Sequence, residues 1–304
     1  MEIVELPKKM DLDTAYIDNA KQLKIFKEGN EFAIPYMAVP LPVIKTIFVI
    51  TGHFGLGPNT RYLTVHLFDK FMCNHFRELY LAKTELDPKE ANSSWAQICK
   101  TVSSQAKLRL MSCMQLASKM DSHSKGLGIS QVMRMLRWLD DKSEHTKNTV
   151  YTSEFFVYKS LDFKIPLFTP LHCVELLLAA TKFRSGVPEA YDVCVDLLDL
   201  VYLQVGLNME RFPESEIEPG KITALENNLL YLGAAVVLCS FFILSMDESD
   251  AKNLLKKLSS LVGIKENNIR QMAQLLFAMA VQPKFSMKKL PQRTQRYASA
   301  NSSL

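Results

Sequence analysis

The sequence has no glycine-rich phosphate loop. Its one dense glycine stretch, Gly52-His53-Phe54-Gly55-Leu56-Gly57, lacks both the spacing and the Lys-Ser/Thr that must follow it. Neither GxSxG nor HExxH occurs, and no four Cys and His residues stand at zinc-binding intervals. These gaps argue against nucleotide hydrolysis, serine-type acyl transfer and metalloprotease chemistry. With no cluster of titratable residues, the chain is a poor candidate for catalysis, and no catalytic residue, metal, cofactor or small-molecule substrate is expected. Cys73 with His75, and His172 with Cys173, are isolated pairs on apolar helices and fit core packing, while His66, within the Leu63/Leu67/Phe71 helix, reads as a satisfied or partly exposed imidazole. The six cysteines show no CxxC pairing and read as reduced core thiols of an intracellular protein. Met1-Glu2-Ile3-Val4-Glu5 has no basic start leading into an apolar segment, so no signal peptide is indicated. A net charge of +4 over 304 residues is too small for a dedicated nucleic-acid binder.

What is present is helical periodicity. The segment 107–121 contains no Gly, Pro or β-branched residue. Apolar or small side chains point nearly all the way round it, which marks a rod surrounded by protein. Ser112, Cys113, Ala117 and Ser118 are small enough to let neighbours approach, and Lys107, Arg109, Lys119 and Asp121 tip its ends with charge. Before it, the periodicity predicts helices near Asp13–Lys27, over Val43–His53 (β-branched, yet read as a buried helix) and over Thr60–Phe76 with Asn59 or Thr60 as cap. The central rod falls within a helical region Trp95–Asp121. Helices Gln131–Asp140, capped by Ser130, and Val150–Leu161 follow it.

From Pro170 the pattern starts again, with helices expected at Pro170–Phe183, Val187–Val205, Thr223–Met246, Asp250–Val262 and Lys265–Val281. An acidic loop, Glu210–Gly220, separates the second and third of these. The chain therefore reads as all-α, two tandem five-helix bundles preceded by an N-terminal helix, each bundle built round its third helix. The divisions are 1–38 (N-terminal helix and extended lead-in), 39–168, 169–282, and a basic, disordered tail 283–304. Leu229–Met246 runs 18 residues without a charge, at the threshold for a membrane span. Its acidic flanks and its place at the core of the second bundle favour a buried helix, so no membrane partner is expected.

Three segments, in order, carry a resemblance to the cyclin family. Tyr62-Leu63-Thr64-Val65-His66-Leu67-Phe68-Asp69-Lys70-Phe71-Met72 is similar to the second cyclin-box helix, which ends in Asp-Arg-Phe-Leu. Leu116-Ala117-Ser118-Lys119-Met120-Asp121 resembles the Leu-Ala-Ser-Lys-Tyr/Phe-Glu-Glu end of the third. Glu154, followed by Ser160-Leu161-Asp162-Phe163-Lys164-Ile165-Pro166 and Pro170, resembles the fifth helix and its exit. The match covers about 130 residues well, making 39–168 an N-terminal cyclin box and 169–282 a cyclin-like bundle.

The resemblance implies a fold of tandem cyclin boxes and a non-catalytic protein that binds a cyclin-dependent kinase. It places partner contacts at Lys119 and Glu154, with Leu116, Met120 and Phe155 supplying apolar area, and makes Asp69 and Leu108 family structural positions. The family's first-helix Arg has no counterpart near Pro40–Pro42, where the nearest base is Lys45, and the first-helix Met-Arg-Ala-Ile-Leu docking patch is not matched by Val39-Pro40-Leu41-Pro42-Val43. The likeness is strongest to a divergent animal branch associated with meiotic crossover formation. That implies nuclear, chromosome-associated action, with the cytoplasm an alternative, and recombination proteins or a ubiquitin ligase as further partners. Two other readings stay open: a cyclin-fold scaffold that activates no kinase, and a cyclin-fold nucleic-acid binder. For Lys119 and Glu154 themselves the alternative is a surface ion pair that only closes two helices.

Overall fold

The computed structural model describes residues 39–84, 91–122, 126–140, 144–165, 168–208, 229–244 and 247–281. The helix expected at Asp13–Lys27, the acidic loop Glu210–Gly220 and the basic tail lie outside these residues. The fold is all-α, and the chain divides into two compact units, 1–167 and 168–304.

The first unit contains α1 (Leu41–His53), α2 (Pro58–Thr84), α3 (Ala91–Asp121), α4 (Ile129–Leu139) and α5 (Lys147–Ser160). Its β-branched opening segment is helical, as its neighbours dictate. Pro42 sits in the first turn, where no amide bond is lost, and Val43, Ile44, Ile47 and Ile50 turn one apolar stripe inward. The rod α3 packs against α2, α4 and α5, and every residue from Leu110 to Ser118 is buried. Small hydroxyls let α5 close on it. Ser112 Oγ donates to the Leu108 carbonyl at 3.0 Å and meets Ser153 Oγ of α5 at 2.7 Å.

Several expectations are corrected. The second helix begins at Pro58, so Asn59 and Thr60 lie within its first turn. Their side chains instead donate to Asp121, Asn59 Nδ2 to Oδ1 at 2.9 Å and Thr60 Oγ1 to Oδ2 at 2.5 Å. Asp121, expected as a mere terminal charge, thus ties the exit of α3 to the start of α2. The fourth helix starts at Ile129 with Gly128 before it; Gln131 Oε1 accepts the Gly128 N–H at 2.8 Å, the cap expected of Ser130. Helix α3 starts at Ala91, four residues before the expected Trp95, so the charges that open the stretch 107–121, Lys107 and Arg109, stand in mid-helix.

The second unit contains α6 (Pro170–Thr181), the single turn α7 (Phe183–Gly186), α8 (Ala190–Asn208), α9 (Leu229–Ile243), α10 (Glu248–Val262) and α11 (Glu266–Val281). Helix α9 touches α6, α8, α10 and α11, and Tyr231 to Phe241 are buried without a break. Among the described residues no helix is long and apolar enough to cross a membrane. Gly233 lets α6 lie close against α9. A Cβ there would lie 3.1 Å from Cys173 Cβ and 3.3 Å from Leu177 Cδ1 of α6. At the head of α6, Thr169 and His172 form a reciprocal cap, which gives His172 a structural task.

Candidate partner-docking surface

The exit of α3 is fixed from several sides. Ser118 Oγ donates to the Gln115 carbonyl at 2.8 Å and accepts the Leu127 N–H at 2.9 Å. Leu127 is buried, so the returning chain is held under the end of the rod. Gly126 passes beside Lys119, and a Cβ on it would lie 3.6 Å from Lys119 Cγ. The lysine stem is therefore braced while its ammonium turns outward.

Across from it, α5 is capped by Thr146, whose hydroxyl accepts the Thr149 N–H at 3.1 Å. Buried Val150, Ser153 and Val157 mark its inner face, which leaves Glu154 at the border. Lys119 Nζ and Glu154 Oε1 are joined by a salt bridge. The Lys119 side chain is 49% exposed and that of Glu154 12%. Such a pair keeps spare donors on the ammonium and a spare carboxylate oxygen for main-chain groups of a partner.

The other expected positions separate into two groups. Met120 is 46% exposed and Phe155 61%, whereas Leu116 is buried. Leu116 is thus a correction: one turn inside the exit, it is enclosed by the bundle and cannot offer contact area in this state. Leu108 is buried as well. Asp69 is half-buried on α2, where its charge helps push the Cys73 thiol, already raised by burial, up to about 12. Lys45 on α1 is exposed.

Phe163 belongs to the same surface, a feature that periodicity could not reveal. After Leu161 the chain takes two consecutive left-handed residues, Asp162 at φ 54° and Phe163 at φ 57°. The Phe163 N–H donates to the Tyr158 carbonyl at 3.1 Å, closing the helix as a Schellman-type turn closes on glycine. This folds the Phe163 ring back over α5. It lies 5.1 Å from the Tyr158 ring, edge to face, and 6.3 Å from the Phe155 ring. Phe163 is 52% exposed, and Tyr151, one turn before Phe155, is 55% exposed. Open aromatic area of this kind beside a polar pair is the composition of a protein-protein contact.

Among the described residues no three His, Cys, Asp or Glu side chains gather as a metal site. Burial holds the His66 imidazole down to about 4 and pushes the Cys113 and Cys239 thiols well up. His75 stacks on Phe71 at 5.4 Å and meets Phe156 edge-on.

No family model matches the sequence. Curated relatives do. Cyclin N-terminal domain-containing protein 1 from mouse (Mus musculus) and from human (Homo sapiens) is in each case 26% identical over 252 residues. The match takes in 79% of this chain and 74% of the mouse and 75% of the human protein. With its all-helical architecture, the chain is a cyclin-like protein, similar over most of its length to cyclin N-terminal domain-containing protein 1.

Proposed function

We propose that this protein is a non-catalytic regulatory subunit that binds a cyclin-dependent kinase through the surface around Lys119 and Glu154. The observation that carries the reading is the meeting of that pair across α3 and α5, with Phe155 and Phe163 exposed beside it. The action is positional. The surface presses on a mobile helix of the kinase and steadies it in the orientation that completes the nucleotide site, contributing no reacting group. By the resemblance of its motifs to a divergent animal cyclin branch, the protein acts in the nucleus, on chromosomes, in the maturation of meiotic crossovers, where recombination or ubiquitin-ligase factors are further partners.

Co-purification with candidate kinases, followed by a phosphorylation assay, tests this. Wild type binds and raises kinase activity; Phe155→Ala and Phe163→Ala lose binding, and Lys289→Ala in the tail does not. Binding without any gain in phosphorylation points instead to a scaffold, a reading favoured by the lack of a first-helix Arg. Strongly salt-dependent DNA binding with no kinase association would replace both.

A further inference from the structure

Arg109 lies outside the surface just described, on the part of α3 that faces α2 and α5. Its guanidinium rests on the Phe156 ring, 4.3 Å from the centroid. Nη1 donates to Ser153 Oγ at 2.9 Å, and Nη2 donates to Gln105 Oε1 at 2.8 Å. The Nε–H is buried and has no acceptor. No carboxylate pairs with Arg109 among the described residues; Asp140 is taken by Lys107 at 3.7 Å.

A guanidinium leaves Nε–H and one Nη2–H parallel along a single edge, and that edge fits the two oxygens of a carboxylate. Here the edge is half filled. Gln105 supplies one amide oxygen to Nη2, while Nε goes without. Burial also lowers the affinity of Arg109 for its proton, yet an arginine keeps its charge. A half-buried cation without a counter-charge is held at a cost that an incoming anion would remove.

We propose that the Nε–Nη2 edge of Arg109 is a seat for the carboxylate of an acidic side chain on a partner protein. Gln105 is exposed and acts as a placeholder that swings aside. The surroundings select a carboxylate over a phosphate. Thr101, two turns before Arg109 on the same face, and Thr149, one turn before Ser153 on α5, are exposed and neutral. A titratable neighbour is His75 of α2, whose imidazole is held below its ordinary range by burial and by the Arg109 charge itself; one guanidinium then balances one negative charge, whereas a phosphate dianion calls for a second cation. This seat is independent of the kinase reading, and either can fail without the other.

The test follows the Arg109 Nε–H resonance of the full ¹⁵N-labelled chain during titration with an acetylated oligoglutamate peptide, with oligoserine and inorganic phosphate as comparators. The resonance, assigned by its loss in Arg109→Lys, moves with oligoglutamate and not with oligoserine. Gln105→Glu places a carboxylate one turn before Arg109, the favoured order for a helical pair. It fills the edge from within, raises the melting temperature and weakens the peptide about tenfold. Gln105→Ala clears the edge and binds at least as well as wild type. A wild-type resonance that does not move with oligoglutamate overturns the seat, as does equal movement with oligoserine. A response to phosphate at lower concentration than to oligoglutamate overturns the choice of carboxylate.

Discussion

Reversing the Lys119–Glu154 pair separates a docking contact from a bridge that only closes two helices. Lys119→Glu alone faces Glu154 with a like charge, and Glu154→Lys alone faces Lys119 in the same way. With the lysine half in water, the native bridge contributes about 0.5 kcal/mol, and each single reversal adds repulsion of similar size. Each therefore costs about 1 kcal/mol in urea unfolding, with an unchanged slope. The double reversal restores an ion pair in the same place and recovers most of that stability. Partner binding behaves differently, because the ammonium and carboxylate present opposite polarity to a fixed set of backbone groups. Losing those charge-assisted contacts costs about 2 kcal/mol, or about 30-fold in Kd, and the double reversal does not regain it. Calorimetric or surface-based Kd values measured beside the unfolding curves give the answer. Recovery of affinity together with stability in the double variant would refute the docking role and leave a structural bridge.

Three further outcomes rest on other parts of the fold. Gly233→Ala gains about 1 kcal/mol of helix propensity but forces a Cβ against the α6 backbone and Cys173; overpacking of that kind costs about 1–3 kcal/mol, so the net change is a loss, read as a lower urea midpoint. Asp121→Ala leaves Asn59 and Thr60 without their acceptor and lowers stability by about 1–3 kcal/mol, whereas Asp121→Asn keeps one acceptor and loses less. His66 is held neutral in the fold down to about 4, while an unfolded histidine protonates near 6.5. The unfolded state therefore binds more protons between those values, and stability falls as pH drops through this window, by up to about 3 kcal/mol. His66→Leu flattens that slope in pH-dependent unfolding, and an unchanged slope would show that the imidazole is not the group responsible.

The architecture was legible because it follows from local pattern. Small and apolar residues all round 107–121 and 229–243 are satisfied at the centre of a bundle, and the middle of each segment, Leu110 to Ser118 and Tyr231 to Phe241, is buried there. The helix over Val43–His53 was readable despite its β-branched residues because a lone strand among helices has no partner. What escaped the sequence depends on distance along the chain. Asn59 and Thr60 have the chemistry of caps, and nothing local says that their acceptor is a carboxylate about 60 residues away. Leu116 and Met120 share a face of α3, but only the crossing of α5 decides that one is covered and the other open. Phe163 reaches the surface through two left-handed residues that are not glycine, a conformation no periodicity announces. Arg109 looked like an end charge because it opens the apolar stretch 107–121, although the helix itself begins well before it.

Helices α2 and α3 are joined in sequence at one end, where six residues separate Thr84 from Ala91, and through Asp121 at the other. A hairpin closed at both ends has no loose tip from which to unzip. Amide hydrogens in the middle of α3 should consequently exchange only when the whole first unit opens, leaving its outward face rigid while a partner comes and goes.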